Sequence, residues 1–280
     1  MFFISRRERA LRIIALWEKL LQQSEFIPLK RLLEKKYVEI LCYPRYDLKE
    51  AERRLRELEK LGVEALEFAG EKKAFDVYVL GKGYVGIVVA AYTDAGKVAL
   101  KIRRVDAGRA GMQHEAEMLK RANDAGVGPK LLDVTENFLL MEFIEGTRLP
   151  KWIETLKGRG AKTRIRKVLL DVLEQCRRLD RVDLDHGELS HAPKHIIVGA
   201  DDTPYIVDFE TASINRKVSN VTSICQYLFI GSQLAKTMKK KLGNVDTKAL
   251  IHALKAYKQK QTRENFEEVL VTCGLKRQLD

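Results

Sequence analysis

Long apolar runs are missing from this sequence. The longest, such as Gly86 to Tyr92, falls far short of the roughly 20 residues that cross a bilayer. Met1 to Trp17 is cut by Arg6, Arg7, Glu8, Arg9 and Arg12 before a signal core forms. Neither a membrane span nor a secretory leader is expected, and the chain reads as a cytoplasmic protein. Cysteine is scarce and scattered: Cys42, Cys176, Cys225 and Cys273 form no CxxC pair to hold zinc and no dense disulfide framework, so buried reduced thiols are expected. Internal repeats and low-complexity stretches are absent too, which excludes a repeat array or a biased tail.

What is present is enough for a substantial core: 280 residues at 45% hydrophobic composition sit near the size at which one core divides into two lobes. The formal charge of +12 is uneven, because residues 151–280 carry 24 Lys and Arg against 16 Asp and Glu. Lys157, Arg159, Lys162, Arg164, Arg166 and Lys167 form a run without an acid, and Lys236, Lys239, Lys240 and Lys241 form another. Such runs often lie on solvated helix faces, but a basic half of a molecule also attracts polyanions at long range.

Ser5-Arg6-Arg7-Glu8 and Asp47-Leu48-Lys49-Glu50 both fit a capping box, and each precedes a helical stripe of apolar residues. The second helix is expected to stop at Gly62, and Pro28 is expected to open a shorter helix to Tyr37. Residues 1–70 therefore read as a small helical module, whether winged helix, linker or packing appendage. From Ala74 the pattern turns to β-rich runs: Phe75 to Leu80, Val85 to Tyr92 and Lys97 to Arg103, the last two joined by Thr93-Asp94-Ala95-Gly96, a hairpin signal. A helix follows over Gly111 to Asp124, then strands at Lys130 to Val134 and Phe138 to Phe143. Helical patterns dominate beyond Lys151, except for a β-like patch at His195 to Val198 and Tyr205 to Val207.

Gly81-Lys82-Gly83-Tyr84-Val85-Gly86-Ile87-Val88 puts three glycines at fixed offsets between two expected strands. Glycine lets backbone amides approach phosphate oxygens without a β-carbon in the way. A place between strands, not between a strand and a helix, disfavours the dinucleotide fingerprint; alone, the pattern also fits a plain hairpin turn. Val98-Ala99-Leu100-Lys101 follows in the next strand, then Glu115-Ala116-Glu117-Met118-Leu119 in a helix. Leu139-Leu140-Met141-Glu142-Phe143-Ile144-Glu145-Gly146 reads as a buried strand leaving into a polar turn. Later come His186-Gly187-Glu188-Leu189, Ser190-His191-Ala192-Pro193-Lys194-His195, Asp208-Phe209-Glu210 and Asn220-Val221-Thr222-Ser223.

In this order and spacing the segments resemble protein kinases, and most closely the archaeal RIO-like family of Ser/Thr protein kinases, including its branch of archaeal tRNA 2′-O-kinases. The resemblance covers about residues 40–280. It implies an α+β, minimal two-lobed protein-kinase-like fold, with an antiparallel-sheet N-lobe over 71–144, a helical C-lobe over 145–280 and the N-terminal helical module before them. ATP and Mg²⁺ are the implied cofactors. Gly81, Lys82, Gly83, Tyr84, Val85 and Gly86 would cover the phosphates, with Val88 and Ala99 beside the nucleotide. Lys101 would grip the α- and β-phosphates, held by Glu115, with Glu117 as rival partner. Met141 would border the adenine, and the backbone of Glu142, Phe143 and Ile144 would bond its edge.

By the same resemblance Asp208 would bind the Mg²⁺ that bridges the β- and γ-phosphates. Glu188 stands where the family has Asp, and would accept or orient the proton of the attacking hydroxyl with one more methylene of reach. His195 falls near the family's metal-binding Asn, after a spacer two residues longer. A neutral imidazole is a poorer Mg²⁺ ligand than an amide oxygen, but His195 is the second residue expected at the metal and in catalysis. His186 would orient this loop, while His191, Lys194 and His195 would bring positive charge to the transferring phosphoryl group or to an RNA phosphate. Glu210 replaces the glycine of a flipping Asp-Phe-Gly motif.

No Ala-Pro-Glu triplet follows Asp208, and only about ten residues precede the helix start near Asn220, so a peptide-docking platform does not fit. RNA presents 2′-hydroxyls, which are alcohol nucleophiles as serine is. The leading expectation is thus an ATP-dependent kinase of a ribose 2′-hydroxyl in tRNA. The competing expectations are a RIO-like protein Ser/Thr kinase and a nucleotide-binding pseudokinase scaffold.

Overall fold

β-rich, largely buried runs from Val63 to Arg103 build the first of two compact units; the computed structural model describes residues 24–108 and 110–276. This unit runs to Gln113 and takes back Leu132–Phe143. Its elements are β1 (Glu25–Pro28), α1 (Lys35–Leu41), α2 (Leu48–Lys60), β2 (Val63–Phe68), a small hairpin of β3 (Lys72–Ala74) and β4 (Val77–Val79), β5 (Gly81–Lys82), β6 (Gly86–Thr93), β7 (Gly96–Arg103), β8 (Leu131–Val134) and β9 (Phe138–Glu142). One sheet runs β1-β2-β6-β7-β9-β8, with β5 also paired to β6. The β6–β7 hairpin closes with Thr93 opposite Gly96, where the turn signal lies.

One face of this sheet is core. Ile87, Val89, Leu100, Ile102, Phe138 and Leu140 are buried there with Ile40, Leu41 and Leu58 of the helices. Arg54 of α2 is fully buried, donating to the Leu41 carbonyl at 2.6 Å and the Arg103 carbonyl at 2.5 Å. Glu57 receives Asn137 Nδ2 at 2.7 Å, and Asn137 Oδ1 receives Arg103 Nη2 at 2.7 Å. These bonds tie the helix to the sheet at the end of β7. Asp47 caps α2 by accepting from the Glu50 amide at 3.0 Å, and Gly62 ends it at φ +70°. The Glu50 carboxylate pairs with Arg53 and Arg54.

The expectation of a separate helical module over residues 1–70 is corrected by this sheet. β1 and β2 pair with each other, and β2 pairs with β6, so residues 25–68 extend the same sheet and share its core. The Val63-to-Phe68 segment is rich in Glu, Ala and Leu, which favour helices; pairing and burial against β6 override that preference. Pro28 ends β1 and leads into a single 3₁₀ turn, Leu29–Arg31, with α1 starting only at Lys35. The helix expected after Ser5 lies outside the described residues.

The second unit comprises His114–Leu131 and everything from Ile144. It holds most of α3 (Ala110–Asp124), then β10 (Gly146–Arg148), α4 (Leu149–Thr155), α5 (Ala161–Arg181), β11 (Ile196–Gly199), β12 (Pro204–Ile206), α6 (Asn220–Cys225), a π-helical turn (Gln226–Ile230), α7 (Gln233–Leu242), α8 (Thr247–Gln259) and α9 (Arg263–Thr272). Strands β10, β11 and β12 form a small antiparallel sheet. The long helix α5 buries Ile165, Val168, Leu169, Val172, Leu173, Cys176 and Leu179 at helical spacing. The α+β fold expected from the resemblance is present: an antiparallel sheet and a helical part. All four cysteines are buried and unbridged. No helix among the described residues is long and apolar enough to cross a membrane.

Candidate active site

In the first unit the glycine-rich segment is a hairpin: β5 and β6 pair Gly81 with Val88, and the Gly83 amide donates to the Gly86 carbonyl at 2.8 Å. Tyr84 stands at its tip, 91% exposed. The three glycines are not equivalent. A β-carbon on Gly86 would come within 2.7 Å of the Ile102 carbonyl and 3.0 Å of Lys101 Cγ, whereas one on Gly81 would meet Val88 at an ordinary 3.5 Å. Gly86 is required because β7 runs directly beside it.

The register then gathers the other candidates. Lys101 lies opposite Val88 on one side and Leu139 on the other, and Ala99 lies opposite Ala90 and Met141. Directly paired residues share a face, so Val88, Ala99, Lys101 and Met141 occupy the sheet face away from the helical core. Val88, Ala99 and Met141 are partly exposed there, and Lys101 is buried. Glu142 ends β9, and Phe143 after it lies under Lys97, whose Nζ is 4.5 Å from the ring centre. Of the two glutamates on α3, Glu115 is buried, while Glu117 is exposed and pairs with Arg121 at 3.1 Å.

In the second unit the loop from Asp185 to His195 is irregular, and hydrogen bonds of distant residues fix it. Asp185 bridges Ser213, pairs with Arg216 Nε at 2.6 Å and accepts from the Ser219 amide at 2.9 Å. Asn220 opens α6 and spends its side chain on three partners: Nδ2 donates to Asp180 at 2.8 Å and the Leu184 carbonyl at 2.7 Å, and Oδ1 accepts from the His186 amide at 2.9 Å. His186 is fully buried, its Nε2 3.1 Å from the Val207 carbonyl, and burial pushes its pKa down to about 4. It is neutral at pH 7, with Nε2 assigned as the protonated nitrogen by that carbonyl. Phe209 is buried with its ring 5.1 Å from the His186 ring. Sequence reasoning singled out the chemistry-bearing residues but not Asp180, Asp185 and Arg216, which hold them; a buried acid at the end of an amphipathic helix was the available signal.

Three side chains converge on this framework. Ligand atoms of Glu188, His195 and Asp208 lie within 4.8 Å of one another. His195 Nε2 is 2.8 Å from Glu188 Oε2, and its Nδ1 is 3.7 Å from Asp208 Oδ2. Lys194 Nζ stands 3.4 Å from the same Asp208 oxygen and 3.9 Å from Glu188 Oε2. Asp208 adopts φ +73°, a left-handed conformation uncommon for a residue with a side chain. His195 is 1% exposed, and burial holds its pKa below the ordinary imidazole value against the pull of Asp208. Its Nδ1 is buried and makes no hydrogen bond. An imidazole nitrogen without a proton, buried without a hydrogen bond, thus faces a carboxylate oxygen that Lys194 also approaches. The donor set fits a divalent metal, to which Glu188, His195 and Asp208 each offer a ligand atom. His191 and Glu210 do not enter this cluster.

A model of the RIO domain matches residues 89–219. An uncharacterized protein of Methanocaldococcus jannaschii is 31% identical over 121 residues, which are 42% of this chain and 99% of that protein. The chain belongs to the RIO-like kinase family. The RIO-domain match runs from inside β6 to the residue before α6, so it takes in Lys101, Glu115, Met141, Glu188, His195 and Asp208 and leaves the glycine hairpin just outside. A RIO domain is an atypical-kinase domain, and with it comes a kinase-like phosphotransferase that uses ATP and a divalent metal.

Proposed function

We propose that this RIO-like protein transfers the γ-phosphoryl group of ATP, with Mg²⁺ or another divalent cation, to a ribose 2′-hydroxyl of a tRNA nucleotide. The observation that carries the substrate class is the shortness and occupation of residues 209–219. Ala212 bonds back to Phe209, Ser213 bridges Asp185, Arg216 pairs with Asp185, and Ser219 donates to Asp185 immediately before α6 begins. Thr211, which donates to the His186 carbonyl, and Ser213, Arg216 and Ser219, which bond to Asp185, spend much of that connection on holding the catalytic loop. A platform that would dock a peptide has little chain left to form it.

The same unit presents a basic surface suited to a phosphate backbone. Lys241 of α7 donates to the Leu156 carbonyl at 2.6 Å, which brings the lysines of α7 beside the run that starts at Lys157. Lys157, Arg159, Lys162 and Lys167 are exposed. Arg164 is already engaged, donating to both oxygens of Asp202 at 2.6 and 2.7 Å, so it is not part of that surface.

In this reading the glycine hairpin and Lys101 hold the phosphates, and Asp208 and His195 hold the metal. A divalent metal held there would supply Lewis-acid charge to the phosphates. Glu188, oriented by the His195 N–H on Oε2, aligns or takes the proton of the attacking hydroxyl. Lys194 is half-exposed on a flexible stem and neutralises charge on the transferring group. The test is incubation with γ-labelled ATP and bulk tRNA, followed by mass spectrometry of the RNA. Label on a 2′-phosphate of one nucleotide is the expected result. Label on a protein with none on RNA would replace this reading by that of a protein Ser/Thr kinase, which the RIO-domain match also supports.

A further inference from the structure

The pair Glu188–His195 has the geometry of a carboxylate that orients a metal-bound histidine, and we infer that His195 Nδ1 is a direct ligand that makes this centre prefer a first-row transition cation such as Mn²⁺ to Mg²⁺. The inference rests on the kinase reading for the presence of a metal nucleotide, but its chemistry comes from three observations. The Nε2–H of His195 is spent on Glu188 Oε2 at 2.8 Å, which fixes the tautomer and leaves the Nδ1 lone pair. That nitrogen is buried without a hydrogen bond and faces Asp208 Oδ2 at 3.7 Å, an arrangement of two electron-rich atoms that a cation between them relieves. The ring cannot turn away, since it is 1% exposed and packs edge-on to His186 with 5.3 Å between ring centres.

A metal-ligating histidine characteristically donates its other N–H to a carboxylate, which raises the basicity of the ligating nitrogen. Imidazole favours first-row transition ions, whereas Mg²⁺ keeps oxygen ligands and water. Glu188 thereby acquires a second task as positioning residue for His195. Lys194 is the natural competitor for the Asp208 oxygen, at 3.4 Å, and its half-exposed chain is free to leave when the metal arrives.

The experiment is pulsed electron paramagnetic resonance on the full chain with Mn²⁺ and ADP, using protein labelled with ¹⁴N- or ¹⁵N-histidine. The expected result is nitrogen modulation of the manganese echo that changes frequency with the histidine label, and so cannot come from the adenine. His195→Asn should abolish it and lower the Mn²⁺ affinity about tenfold relative to Mg²⁺, and Glu188→Gln should keep the modulation while weakening Mn²⁺ binding about tenfold. Lys194→Met should tighten Mn²⁺ binding. An echo without histidine modulation in the unmutated protein, modulation that persists in His195→Asn, or an unchanged Mn²⁺ to Mg²⁺ ratio in that variant each overturns the inference. The labelled unmutated protein decides the matter even if His195→Asn fails to fold. Because no RNA is present, failure to phosphorylate tRNA would sink the substrate reading and leave this result standing.

Discussion

The two units hold their chemistry in opposite ways. In the first, Val88, Ala99, Lys101 and Met141 reach one face through strand register, and the close approach of β7 beside Lys101 requires the absence of a β-carbon at Gly86. In the second, Glu188, His195 and Asp208 sit on irregular chain, with Asp208 in a left-handed conformation and the loop fixed by Asp180, Asp185 and Asn220. Regular structure delivers side chains by period, so its residues can be exchanged as long as the strand persists. Irregular structure needs a dedicated set of buried hydrogen bonds, and the function fails when the support fails.

The largest effects should come from removing the charge that each unit contributes. Asp208→Asn keeps a residue type that tolerates φ > 0 but gives up the carboxylate, and Lys101→Met keeps the length of the stem. Each should lower phosphoryl transfer by at least about a hundredfold, read by label from γ-labelled ATP, with thermal melting close to that of the unmutated chain. Full turnover in either variant would remove that unit from the assigned chemistry.

Next in size is a backbone test of the first unit. Gly86→Val drives a side chain against the Ile102 carbonyl and Lys101 and should raise the KM for ATP by about tenfold or more, while Gly81→Ala, with ordinary contact distances, should change it less than about twofold. Equal effects at both positions would mean that the hairpin grips phosphate by a general flexibility of its glycines and not by the close approach at Gly86.

This contrast also explains what the sequence made legible. The β-rich runs and the Thr93-to-Gly96 turn located β6, β7 and the lysine within a residue of their places, because local pattern and tertiary pairing agree there. β2 was misread as part of a helical module because its composition favours helix and its partner strand is more than twenty positions away. The resemblance pointed to His195, but its 2.8 Å contact with Glu188 and its unbonded Nδ1 leave no trace in spacing.

The second unit's support should break by stability before it breaks by chemistry. Asn220→Ala leaves the Leu184 carbonyl, the His186 amide and part of Asp180 without partners in a buried place. A loss of about 2–4 kcal/mol is expected, measured by urea unfolding. A loss well under about 1 kcal/mol would show that the loop is held by its packing instead.

The smallest effect is a pH dependence at Asp180. Burial raises its pKa above the ordinary carboxylate value of 3.8, opposed by hydrogen bonds from the Asn220 side chain and amide, the Val221 amide and the Tyr257 hydroxyl. Between 3.8 and that raised value the folded chain binds a proton that the unfolded chain has released, so the stability contributed by this group is complete below 3.8 and declines as pH rises through the window. Asp180→Asn resembles the protonated acid and does not titrate. The stability advantage of the unmutated protein over Asp180→Asn should therefore shrink as pH is raised from about 4, in urea midpoints taken across the series. An advantage that grows instead would mean that the four donors outweigh burial, and that Asp180 anchors the loop as a charged group.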